Sequence, residues 1–183
     1  MAGGSCFSIL AATFLLLATA ATASRHPPHR VIGGVSPFCT TATTNPDDKA
    51  VCTGLVKGAG TWPEAMTNAI KAVIATANAA KPMVDGLEAE LPRGLKPATV
   101  ESIAKGCKDT FDTYVFNLEQ CIGFVKNDPF SSLEVYLGGS TFFDCKDGFD
   151  EFQIPNPEVD KFYDTTVKFA DILLSIYQKK PLH

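Results

Sequence analysis

The chain has 183 residues and a formal net charge of −4, with both signs mixed along its length and no basic run. This charge pattern argues against nucleic acid and against an anionic membrane surface as partners. After removal of the leader described next, about 160 residues remain, which is the size of a single domain.

The first 23 residues are predicted to be a secretory signal peptide. An apolar run over residues 7–17 is followed by small residues, and Ala21-Thr22-Ala23 suits cleavage. The apolar run is too short to span a bilayer comfortably, which disfavours a membrane helix. We therefore expect a secreted protein with a flexible arm at 24–37 and a domain at 38–180.

Residues 38–55 are expected to form two short helical pieces folded on each other. A turn at Asn45-Pro46 lies between Cys39 and Cys52, whose spacing suits a disulfide that staples the two pieces. Closing this loop would stabilise the fold by about 3 kcal/mol on the chain-entropy model.

A long helix is predicted to follow, ending at Leu91. Thr61 and Glu64 have the spacing of a capping box at its start. Apolar residues then recur every three or four positions, the pattern of one buried helix face. Pro82 lies inside this pattern and is expected to kink or divide the helix.

The most regular helical pattern runs from Pro97 to Lys126, and the rest of the chain is expected to pack around it. Its stripe positions are Val100, Ala104, Cys107, Phe111, Tyr114, Leu118, Cys121 and Val125. A stripe so narrow on so long a helix is normally covered by other long helices, so the pattern predicts a helix bundle.

Two more helices are predicted in the last third of the chain. Apolar residues keep helical spacing over 130–152, with local mobility expected at Gly138-Gly139. Asn156 is placed to cap the last helix, and Pro157 to occupy its first position. Because no segment alternates with period two for long, the predicted fold class is all-α, with a hairpin and four long helices.

The mature chain keeps five of the six cysteines, namely Cys39, Cys52, Cys107, Cys121 and Cys145. An odd count in a secreted protein suggests two disulfides and one free or intermolecular thiol, and counting alone leaves many pairings open. On their shared helix Cys107 and Cys121 would lie roughly 21 Å apart, too far to bond. Cys107 and Cys145 lie on buried faces of neighbouring predicted helices, where a bond would clamp the helices together. Cys121 is expected to be a buried free thiol, with intermolecular pairing as the alternative.

Catalytic chemistry is not expected from this composition. Histidine occurs only at His26, His29 and His183, all in the terminal segments. A Ser-His or Cys-His nucleophile system therefore cannot be built inside the domain. Two histidines do not supply the usual ligand set of a metal, and no Gly-rich phosphate loop occurs. We expect no enzyme activity, no metal and no cofactor.

Several features occur together in this chain. A leader precedes a hairpin with paired cysteines, a long helix carries Cys107 with Tyr114 seven residues later, and a further motif reads Asp144-Cys145-Lys146-Asp147-Gly148-Phe149. The last motif is similar to the Thr-Cys-x-Asp-Gly-Phe of a plant family. On these residues the chain resembles the plant invertase/pectin methylesterase inhibitor family, and within it the pollen allergens classed as invertase inhibitors.

The resemblance implies a fold, a function and a location. The fold would be a helical hairpin packed on an up-and-down four-helix bundle, with Cys39–Cys52 and Cys107–Cys145 bonded. Family members inhibit either pectin methylesterase, whose active-site cleft they cover in a one-to-one complex, or acid invertase. The protein would thus be a monomer before it meets its target, in the apoplast or cell wall, with the vacuole as an alternative.

The candidate target-binding residues are Asp128, Pro129 and Phe130. They occupy the place of the Pro-Lys-Phe loop that the family's invertase inhibitors insert into their target. The lysine is absent here, and Asp144 replaces the usual threonine before the fourth cysteine. The missing lysine counts against invertase as the target, and the replacement at Asp144 counts against pectin methylesterase. We expect a pectin methylesterase inhibitor because that is the broader assignment for the fold. Invertase inhibition is the first alternative, and a non-inhibitory ligand-carrying or storage bundle is the second.

Overall fold

The computed structural model describes residues 34–40, 46–128 and 130–181. The expected signal peptide at 1–23 and most of the expected arm at 24–37 lie outside the described residues. Within those ranges every regular element is a helix, which confirms the all-α prediction. No helix in the same ranges combines the length and apolarity needed to cross a membrane.

The helices pack as a closed ring. The elements are a 3₁₀ helix Pro37–Cys39 and the α-helices α1 (Pro46–Val56), α2 (Trp62–Glu90), α3 (Pro97–Lys126), α4 (Ser132–Gly139), α5 (Phe143–Glu151) and α6 (Pro157–Tyr177). Helix α3 packs on α2, α4 and α5, and α6 packs on the same three helices. Helices α4 and α5 together therefore take the place of the fourth long helix of the bundle. Helix α1 lies against α2 and the 3₁₀ helix.

The starts of α2 and α6 follow the predicted capping chemistry. The hydroxyl of Thr61 accepts a hydrogen bond from the Glu64 N–H, and the Glu64 carboxylate accepts one from the Thr61 N–H at 3.1 Å. At α6 the Asn156 side-chain oxygen accepts from the N–H groups of Glu158 and Val159, each at 3.1 Å. These bonds satisfy N–H groups that have no partner within the helix, which fixes where each helix begins.

Helix α3 has the bounds that its pattern predicts. The stripe is buried from Cys107 to Val125. At the N-terminal end Ile103 is buried instead, while Val100 and Ala104 are only partly buried. The stripe prediction was therefore wrong only in the first two turns, where the buried residue is Ile103.

The structure corrects two expectations about helix continuity, namely division of the second long helix at Pro82 and a single helix over 130–152. Helix α2 runs through Pro82 without division, since it is a single helix of 29 residues. Conversely, the single helix expected over 130–152 is two helices joined by residues 140–142. The Phe142 N–H donates to the Thr166 hydroxyl of α6 at 3.1 Å rather than to a carbonyl one helical turn earlier. This bond replaces the helical one and lets the chain break there without leaving a buried donor unpaired.

The break between α4 and α5 is tightly packed. The Phe142 side chain is fully buried, and its ring centroid lies 4.8 Å from that of Phe162 at an interplanar angle of 71°. Phe111 and Tyr114 of α3 also stack around Phe162, with centroids 6.2 and 6.4 Å away. Burial of an aromatic ring stabilises a fold by a few kcal/mol, which outweighs the helical bonds lost at the break.

Two disulfides cross-link neighbouring elements, one at the periphery and one within the bundle. Cys39–Cys52 joins the 3₁₀ helix to α1, with Cα atoms 5.8 Å apart. Cys107–Cys145 joins α3 to α5, with Cα atoms 4.3 Å apart. Both are the pairings that the family resemblance implies. Cys121 is buried on α3 and forms no disulfide within the described part of the chain.

Candidate functional site

The candidate target-binding segment forms the connection between α3 and α4. Phe130 lies in this connection with 86% of its surface exposed, the largest fraction of any large apolar side chain in the described residues. Val135, on the first turns of α4, is 70% exposed. Pro129, the remaining apolar residue of the predicted segment, lies outside the described residues. Phe130 and Val135 are thus two large exposed apolar groups close together in sequence.

Asp128 stabilises the start of α4. Its carboxylate oxygens accept hydrogen bonds from the N–H of Ser132 at 2.6 Å and from the N–H of Leu133 at 3.2 Å. These N–H groups belong to the first turn of α4 and have no carbonyl partner in their own helix. The carboxylate also opposes the positive end of the helix dipole. The structure thus gives Asp128 a role within the fold, and its predicted contact with a target stays a prediction.

The backbone of the connection is held on both sides of Phe130. On one side Asp128 is bonded to α4, as described above. On the other, Ser131 adopts the left-handed conformation with φ 54° and ψ 31°, and Leu133 is fully buried. A non-glycine residue keeps that conformation only where its surroundings determine it. Phe130 is therefore an exposed side chain in a connection that is held at Asp128, Ser131 and Leu133.

The core behind the connection contains the unpaired thiol. Burial raises the pKa of Cys121 to about 12, and the negative charge of Asp128 adds to the shift. Burial also raises the pKa of Tyr177, with smaller contributions from Glu134 and Asp128. The Asp128 charge thus acts on Cys121 of α3 and on Tyr177 of α6. At neutral pH the Cys121 thiol is protonated, which makes it a poor nucleophile.

Ring packing joins α3 to α4 near the same end. The rings of Phe124 and Tyr136 meet edge to face, with centroids 5.2 Å apart. Such a pair contributes roughly 1 kcal/mol beyond its area burial. The position of α4, and with it the position of the connection, is therefore determined by packing as well as by the Asp128 cap.

The sequence analysis did not identify two exposed apolar side chains. Val135 lies on α4 between the buried Leu133 and Leu137, and Phe116, 55% exposed, lies on α3 between Tyr114 and Leu118. Helical spacing identifies the buried face of a helix and gives no information about apolar residues outside that face. An apolar residue two positions from a buried stripe is the signal that would have found them.

The described residues contain no histidine. The three histidines, His26, His29 and His183, lie outside them. Among the residues that are described, no group of three or more His, Cys, Asp or Glu side chains is arranged to hold a metal ion. Three open grooves of about 320, 550 and 460 Å³ lie along the helices, and polar or charged side chains line most of each.

Comparisons of this chain with models of known protein families, with curated proteins and with solved structures give no match. The resemblance to the invertase/pectin methylesterase inhibitors thus rests on the residues quoted for it above. A proposal for the function has to stand on those residues together with the geometry of the α3–α4 connection.

Proposed function

We propose that the chain is a secreted protein inhibitor that covers the active-site cleft of plant pectin methylesterase in a one-to-one complex. The observation that carries this proposal is the exposed Phe130 on the fixed α3–α4 connection. Aromatic side chains at the centre of an interface supply much of its binding energy. Transfer of the exposed ring from water into a pocket of a partner would contribute favourably to the free energy of binding.

The fixed backbone favours binding because it lowers the cost of association. Ordering a flexible loop in a complex consumes part of the free energy that its contacts provide. Here the Asp128 cap, the left-handed Ser131 and the buried Leu133 order the connection in the free protein. The contact made by Phe130 would then contribute to affinity with little ordering cost.

The disulfides support a role outside the cell. Two disulfides in a small domain are typical of oxidising compartments. Here they join the 3₁₀ helix to α1 and α3 to α5, the pairing pattern that the family resemblance implies. A bundle clamped in this way would keep its binding surface in an acidic, protease-containing wall.

Acid invertase is the alternative target, and one observation favours it. The lysine expected within the connection is missing, but Lys126 at the end of α3 is exposed only four residues before Phe130. A cation beside an aromatic group is the combination that invertase inhibitors of the family are expected to present. Assays of both enzymes therefore have to be run in parallel.

The test is a paired titration of the oxidised protein against a plant pectin methylesterase and a cell-wall invertase at acidic pH. We expect stoichiometric loss of methylesterase activity alone. Phe130→Ala should weaken inhibition by about tenfold or more, since an aromatic hot spot is worth over about 1 kcal/mol. The matched control is Phe152→Ala, which removes a side chain that is 44% exposed at the far end of the α4–α5 pair.

Three results would count against the proposal. Full activity of both enzymes at micromolar protein would remove the inhibitor function. Inhibition of invertase alone would transfer the proposal to the alternative target. Equal inhibition by the Phe130→Ala variant and the unaltered protein would show that the α3–α4 connection is not the binding site.

A further inference from the structure

A polar groove of about 320 Å³ lies between α3 and the break that separates α4 from α5. Thr113, Tyr114 and Asn117 of α3 line one side. Thr141 and Asp144, from the break and the first turn of α5, line the other. We refer to it as the α3–α5 groove. The groove lies where α4 ends and α5 begins. Because the sequence pattern predicted one continuous helix there, it did not predict the groove.

The buried tyrosine of this groove has no hydrogen-bond partner among the described residues. Tyr114 is 98% buried, since only 2% of its surface is exposed. Its hydroxyl makes no hydrogen bond to any described residue, yet it is not sealed from solvent. A buried tyrosine hydroxyl is normally bonded, because leaving it unpaired costs free energy. The hydroxyl that opens into the groove is therefore available to a ligand.

The same groove holds further polar groups that are not engaged within the described chain. The side chains of Thr113, Asn117, Thr141 and Asp144 have no hydrogen-bond partner there, and they line the same groove as Tyr114. They include hydroxyl groups, an amide and a carboxylate. Together they offer both donors and acceptors, whereas the other carboxylate of the groove, Asp109, is paired with Lys105.

We propose that the α3–α5 groove binds a small neutral polyhydroxylated ligand of mono- or disaccharide size. Each hydroxyl of such a ligand both donates and accepts, which matches the mixed set of groups in the groove. No cationic side chain is among its described lining residues, so an anion would meet only the carboxylates. An organic cation would find a single unpaired carboxylate, Asp144. The volume lies at the lower end of ligand-binding pockets, which suits a small molecule.

The protonation state of the tyrosine suits this role. Burial raises the pKa of Tyr114 above its usual value. The hydroxyl therefore stays protonated from acidic to mildly basic pH, and it can donate and accept throughout. Saccharide binding at this groove would not depend on the inhibitor function proposed above, because the groove and the α3–α4 connection are formed by different residues.

The test is a titration of the oxidised protein followed by amide NMR spectra. Sucrose, glucose and inositol serve as neutral probes, galacturonate as the anion and putrescine as the cation. We expect the neutral probes to shift the amides of Thr113, Asn117 and Thr141 with dissociation constants of about 1–10 mM. Galacturonate and putrescine should leave these amides unchanged over the same range.

Variants locate the binding. Tyr114→Phe removes the hydroxyl alone, and Asp144→Asn removes the charge of an exposed side chain, so at least one of them should fold. Each should weaken binding by about threefold to tenfold, the effect of one hydrogen bond. Asp164→Asn, on the exposed side of α6, is the matched control and should leave the affinity unchanged.

The proposal would be overturned by three results. One is the absence of amide shifts at the groove with every neutral probe up to about 100 mM, since a dissociation constant above that value would not indicate a specific site. Another is tighter binding of putrescine or galacturonate than of the neutral probes. The last is unchanged saccharide affinity in both the Tyr114→Phe and the Asp144→Asn variants, which would place the ligand elsewhere.

Discussion

Replacement of Asp128 tests whether the α3–α4 connection is fixed by the cap. In the Asp128→Ala variant two N–H groups of the first turn of α4, those of Ser132 and Leu133, lose their acceptor. The variant also loses a negative charge at the positive end of the helix dipole. The Phe130 side chain, which would contact the target, is unaltered.

The expected loss of stability follows from these bonds. Removal of a capping side chain costs about 1 kcal/mol, and up to about 2 kcal/mol in proteins. The Asp128 bonds of 2.6 and 3.2 Å involve a charged acceptor in a partly buried position, which favours the upper half of that range. We expect Asp128→Ala to lower the free energy of unfolding by about 1.5 kcal/mol. Asp128→Asn, which keeps one oxygen acceptor, should lose less.

Urea unfolding of the oxidised protein measures this difference. With a slope of about 2 kcal/mol per molar urea, the midpoint should fall by about 0.7 M. Hydrogen exchange should become faster at Ser132 and Leu133, while exchange in α2 stays unchanged. Asp164→Ala, on the exposed face of α6, is the matched control. An Asp128→Ala variant as stable as this control, with unchanged exchange at α4, would show that the cap does not fix the connection.

Other predictions follow from the same structure. Thr166→Val removes the hydroxyl that accepts the buried Phe142 N–H, so the free energy of unfolding should fall by about 1–3 kcal/mol. Thr165→Val, on the surface of the same helix, is the control and should have little effect. The Cys121 thiol should resist alkylation at pH 8 in the folded protein and react only on unfolding, and fast native labelling would contradict its burial. The pKa of Glu64 is lowered chiefly by the hydrogen bond from the Gly60 N–H. The Glu64 carboxylate therefore stabilises the fold fully above the unfolded pKa of 4.5, and this stabilisation is lost as the pH falls through the lower folded pKa. Glu64→Gln should therefore flatten the acid side of the stability–pH curve measured by thermal unfolding. Full reduction and alkylation should abolish inhibition, and an unchanged inhibition curve would refute the clamping role of the disulfides.

The sequence was sufficient to predict elements whose cause is local. The bounds of α3 follow from its apolar spacing, from the proline that suits its first turn and from the stop after Lys126. The starts of α2 and α6 follow from Thr61 and Asn156, whose side chains bond to N–H groups two or three residues away. In each case the residues that determine the element lie next to it in the chain.

The break between α4 and α5 could not be predicted in the same way. Apolar spacing is continuous there, and Gly138-Gly139 weakens a helix without requiring it to end. The deciding contacts are those of Phe142 with Phe162 and Thr166, which lie about 20 residues later in the sequence. The α3–α5 groove is lined by residues at this break, so a local sequence pattern could not predict the groove either.

The α3–α4 connection separates the residues that fold the protein from the residue that would bind a target. Asp128 and Leu133 hold the connection from within, whereas Phe130 contributes almost no buried surface to the fold. A substitution at Phe130 should therefore change affinity with little effect on stability, and one at Asp128 should change both. Phe130 is 86% exposed, whereas Phe116 and Phe143 are 55% and 53% exposed and lie within helices. The larger exposed surface of Phe130 is the reason to regard the α3–α4 connection, rather than Phe116 or Phe143, as the binding surface.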